Sequence, residues 1–132
     1  MPLQFSTTLR NNRIGQVETT MGTSPVLEIR TGPPPASPSD ADTGTLLVSI
    51  TLPSDWLSDP NNGQVTKLGT WQATAVASGT AGHFRIKAGT TTHIQGTVTV
   101  TGGGGDLELD NTSINSGQTV TITSFTLTEG NA

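Results

Sequence analysis

Two histidines, His83 and His93, are the first residues whose types could do chemistry. They fall on segments that read as neighbouring strands. A metal site would need one or two further ligands on the same face, and none is forced there. The reading is therefore structural or solvated histidine. Asp106, Glu108 and Asp110 alternate along one short segment. Two carboxylates facing each other across a cleft could act as acid and base. On a single strand, alternating acids instead make a charged edge that discourages strand addition. Gly102–Gly105 has no Gly-Lys-Ser/Thr after it and opens no helix, so it reads as a flexible connection and not a phosphate loop. Asp40-Ala41-Asp42 and the turn at Asp59 both miss the calcium-loop register. No Gly-x-Ser-x-Gly elbow or Ser/His/Asp set is readable. Cysteine is absent, which excludes thiolate nucleophiles, disulfides and Cys-based zinc sites. No catalytic, cofactor or metal residue is assigned, and the chain reads as non-enzymatic.

The elements around these residues are mostly strands. The chain has 132 residues, the size of one domain able to bury a core of its own. Threonine outnumbers even the 16 glycines, and its β-branch suits a pleated surface. Six basic against ten acidic residues give a net charge of −4. There is no basic stripe of the kind nucleic acid requires. No apolar run approaches a membrane span, and the N-terminus lacks the pattern of a signal peptide. The expectation is a soluble, unsecreted product that binds neither nucleic acid nor membrane.

The one helix predicted covers residues 6–21. Ser6 or Thr7 caps it, Ile14, Val17 and Met21 form its apolar stripe, and Gly22 stops it. Gly15 inside it costs about 1 kcal/mol relative to alanine, so the helix depends on docking. Beyond it the period falls to two. Leu27 and Ile29 alternate with polar neighbours. The run Gly32-Pro33-Pro34-Pro35-Ala36-Ser37-Pro38 reads as a stiff loop outside any sheet. Leu46, Val48, Ile50 and Leu52 share one face of residues 45–52, with Leu47 on the other. Asp59-Pro60-Asn61-Asn62-Gly63 is a strong turn signal. Residues 69–76 carry Trp71, Ala73 and Ala75 on one face. Residues 82–88 place Phe84 and Ile86 inward, with His83, Arg85 and Lys87 outward. Residues 92–101 place Ile94, Val98 and Val100 inward. Over 118–128 the inward parity switches at Thr123-Ser124, which predicts a bulge or bend. Trp56, Trp71, Phe84, Phe125 and Phe5 are assigned mainly to the core. About seven or eight short antiparallel strands with turns between them predict an all-β domain, a β-sandwich or jelly-roll-like barrel. Residues 1–22 form an N-terminal arm and helix, and 23–132 a single β domain.

Three segments together carry a resemblance: Leu46-Leu47 to Leu57; Gly69-Thr70-Trp71 to Ile86; and Gln95-Gly96-Thr97-Val98 through the glycine run to Ile122. The chain resembles a family of small tailed-phage virion structural proteins. The resemblance implies a capsid decoration, or cement, protein on the outside of the particle. Its product would be made in the host bacterial cytoplasm, and its partners would be the major capsid protein lattice and further copies of itself. Tail, neck or head–tail joining roles, and a carbohydrate-binding module, are the alternatives. The contact elements expected are Leu3, Phe5, Leu9, Ile14, Val17 and Met21 at the N-terminus, with Pro33, Pro34 and Pro35 in the loop. A closed homo-oligomer is expected, with a trimer favoured because icosahedral shells offer threefold positions.

Overall fold

The computed structural model describes residues 3–128; Met1, Pro2 and residues 129–132, at the two ends of the expected arm and β domain, lie outside the described residues. The chain is mainly β with one N-terminal helix, 43% strand and 12% helix. Helix α1 (Thr7–Met21) starts where Ser6 leaves the extended region and its hydroxyl accepts the Leu9 N–H at 3.1 Å. It stops at Gly22, whose N–H makes the last helical bond to the Glu18 carbonyl and whose φ of 75° turns the chain out of the helix. Ile14 and Met21 are buried, and Val17 packs against the same core. The helix docks on its own domain. Long-range bonds to described residues fix it. Trp56 Nε1 donates to Gly22 O, Leu57 N to Glu18 Oε2, Arg10 Nη2 to Asn62 O, and Gly63 N to Asn11 Oδ1. Burial pushes the Glu18 carboxyl above its ordinary value, more than the Leu57 N–H offsets. Gly15 sits where a Cβ would lie 3.3 Å from the Pro60 ring, a tight fit that gives the helical glycine a packing reason.

The strands are β1 (Val26–Thr31), β2 (Leu46–Thr51), β3 (Gln64–Thr66), β4 (Trp71–Thr74), β5 (Gly79–Ala88), β6 (Thr91–Val100), β7 (Leu107–Leu109), β8 (Ser113–Ile114), β9 (Thr119–Ile122) and β10 (Thr126–Thr128). The main sheet runs β2-β1-β5-β6-β7, with β8 on the first residues of β5. Two ribbons, β4–β9 and β3–β10, complete the body. The β4 end bonds to β2 through Val76 N and Leu47 O, and β9 lies against β7. The sheet therefore curls, with the β4–β9 ribbon between its two outer strands. Trp56, Trp71, Phe125 and Phe84 form a chain of tilted and edge-on ring contacts through the core, with ring centroids 6.1, 5.5 and 5.8 Å apart. Trp71 Nε1 donates to Leu68 O, so both indole N–H groups are satisfied.

Several expectations are corrected. The strands are not all antiparallel: β7 pairs with β6 in parallel, Val98 opposite Leu107 and Val100 opposite Leu109. A parallel return normally needs a crossover of about a dozen residues or more. Here Gly102 and Gly104, both at positive φ, reverse the chain sharply. The connection is pinned, not flexible: Gly105 N donates to Thr99 Oγ1, and Gly104 N to Glu108 Oε2. The parity switch at Thr123-Ser124 is a break between β9 and β10, which belong to different ribbons. Leu47 is as fully buried as Val48, its side chain packed beside Gly79 at the start of β5. Val100 is 47% exposed, and Phe5 is half-buried under the Arg13 guanidinium, outside the core. His83 and Arg85, expected outward, are completely covered. Their cover is the proline loop.

Candidate functional site

The strap, residues 32–45, leaves β1 at Gly32 and returns to β2. Its four prolines donate no N–H, so its many free carbonyls need donors from elsewhere. The outward face of the main sheet supplies them. Pairing sets Glu28 of β1 opposite Arg85 of β5, which is in turn opposite Gln95 of β6. The strap crosses this row. Arg85 Nη1 donates to Asp42 Oδ1 at 2.6 Å. Arg85 Nη2 reaches the carbonyls of Pro38 at 2.9 Å, Asp40 at 3.0 Å and Ser37 at 3.4 Å. Arg85 Nε donates to Gln95 Oε1, and Gln95 Nε2 to Pro35 O at 2.7 Å. Nδ1 of His83 lies 2.9 Å from Gly32 O. A carbonyl can only accept, so Nδ1 carries the proton. His83 Nε2 is buried with no partner among the described residues.

Asp42 is the electrostatic centre. Its carboxylate lies 2.6 Å from Arg85, 2.6 Å from Lys87 and 3.3 Å from Arg30. Glu28 joins Arg30 at 3.0 Å and Lys87 at 3.1 Å. The Lys87 hydrogen bond, with those of Arg85 and the charge of Arg30, holds the Asp42 carboxyl at about 2 against an ordinary 3.8, despite partial burial that opposes it. A buried arginine without such partners would be strongly destabilising. Here every group of the fork is engaged. A polar cleft of about 770 Å³ opens beside the cluster, lined by Ser39, Asp40, Lys87, Thr91 and His93 among others.

The strap changes the standing of the residues singled out from sequence. His83 is buried under it, and His93 is exposed on β6, so the two serve different surroundings. Among the described residues no three His, Asp or Glu side chains come together as a metal-binding group. Asp106 and Glu108 brace the glycine turn: Asp106 Oδ2 accepts from Thr97 N, and Asp110 is exposed. Of the expected contact residues, Leu3 is 68% and Leu9 44% exposed, and Pro33 is exposed. Pro34 and Pro35 are half-buried. Ile14 and Met21 belong to the chain's own core, which takes them out of the accessible set. Both tryptophans are wholly buried, which removes the aromatic platform that a sugar-binding face would use. Sequence reasoning missed the Arg85–Asp42 cluster. Its one signal was three cations at alternate or facing strand positions with a carboxylate-bearing loop between them.

No protein-family model, no curated protein and no solved structure matches this chain.

Proposed function

We propose that this chain is a non-enzymatic phage virion structural protein, a decoration protein that stabilises the head by binding the major capsid protein lattice. The observation that carries the reading is at the N-terminus. The helix buries Ile14 and Met21 while Leu3 and Leu9 stand out in solvent, so an anchored element presents apolar side chains away from its own core. The strap is a second outward feature of fixed shape, with Pro33 at its surface. Both agree with the family resemblance of the sequence. Repeated copies on a lattice gain avidity, so each contact can be small. The same reading takes the body as a β-sandwich or jelly-roll-like barrel. Its support is the β4–β9 ribbon lying between β2 and β7 over one continuous core. A trimer is the oligomer proposed, because icosahedral shells offer threefold positions.

The test is a Leu3→Asp/Leu9→Asp double variant added to heads that lack the protein. Neither side chain is in the core, so folding is retained. The reading expects head binding to fall by about 10-fold or more, as the loss of two apolar contacts implies. Binding equal to that of the parent chain would remove the N-terminus from the interface.

A further inference from the structure

The strap has little internal structure of its own. Between residues 37 and 42 its internal bonds are Asp40 N to Ser37 O, Ser37 N to Asp40 Oδ2, Ser39 N to Ser37 Oγ, and one between the Ser37 and Ser39 hydroxyls. Against these stand three carbonyl oxygens and one carboxylate oxygen turned onto a single guanidinium. Arg85 is 1% exposed, and the Glu28–Arg85–Gln95 pairing row turns it to the strap side of the sheet. We propose that residues 37–42 form a guanidinium-binding cage whose resident ligand is the chain's own Arg85, and that this segment takes its shape around that cation. Charge and shape both fit. Among the described residues Asp42 is the one carboxylate touching the fork, while Asp40 turns its own carboxylate back to Ser37 N. A planar fork reaches Asp42, the carbonyl group and Gln95 at once, which a compact ammonium cannot do. Arg85 is thus a positioning residue for the strap surface. The proposal holds whatever partner that surface meets.

The experiment is amide hydrogen exchange on the full chain carrying Arg85→Ala, read at Ser37, Ser39 and Asp40, with and without millimolar methylguanidinium. The expected result is a loss of protection at these amides of about tenfold or more, the scale of charge-assisted bonds. Methylguanidinium should restore it, equal sodium chloride should not, and the β1–β2 amides should stay as they were. Undiminished protection in the variant would overturn the proposal. So would a loss that saturating methylguanidinium fails to reverse. Should Arg85→Ala not fold, Asp42→Asn leaves the guanidinium in place but removes the cage's charge. It must then lower strap protection by a similar factor, and unchanged exchange there would equally refute the cage.

Discussion

The charge on Asp42 should make a defined part of this protein's stability depend on acid. Its carboxyl is held at about 2 in the folded chain, against 3.8 ordinarily. A depressed carboxyl stabilises the fold above its unfolded value, and the benefit is lost as pH falls through the folded one. For this group the window runs from about pH 4 down to about 2. The full linkage value of such a depression is about 2.5 kcal/mol. The Asp42 side chain is nevertheless 32% exposed, so solvent screening reduces the expectation to about 1 kcal/mol. Asp42→Asn should therefore lower stability at pH 7 by about 1 kcal/mol, a melting shift of about 4 °C for a domain of this size. At pH 2 the variant and the parent should be equally stable. Urea unfolding followed by fluorescence of the buried Trp56 and Trp71 measures the difference at each pH. A difference that stays constant from pH 7 to pH 2, or none at any pH, would refute the electrostatic account of the strap.

Two further substitutions probe how the strap and helix are attached. Gly82→Ala would place a Cβ 2.3 Å from the Gly32 carbonyl oxygen, where strap and β5 pinch together. Backbone must shift to relieve it, so chemical denaturation should show a loss of roughly 2–3 kcal/mol. Trp56→Phe keeps an apolar ring but leaves Gly22 O without its indole donor. It should cost about 1–2 kcal/mol, with exchange rising first at the C-terminal turn of α1.

Much of the fold was legible in local pattern. The Ser6 cap and the Gly22 stop bounded the helix, and period-two alternation placed β1, β2, β5, β6 and β7. What escaped was short or remote. β3 buries one residue of its three, and β8 spans two residues, too few for a period to show. The parallel return of β7 rests on glycine geometry, which composition reads only as looseness. The outward assignment of His83 and Arg85 had the right strand face, since both do point away from the core toward the strap. It missed the cover, because the strap's oxygens lie more than 40 residues earlier in the chain. For the same reason Asp42 was weighed only against the calcium-loop pattern. The pairing of a loop carboxylate with cations on β1 and β5 is a tertiary fact with no local sequence period.

The proposed function requires that many copies of this chain coat a phage head. Quantitative densitometry of purified particles, against the major capsid protein as internal standard, tests it most directly. Decoration predicts hundreds of copies per particle, in simple ratio to the lattice. About six or twelve copies, the numbers a neck or tail ring would use, would contradict it.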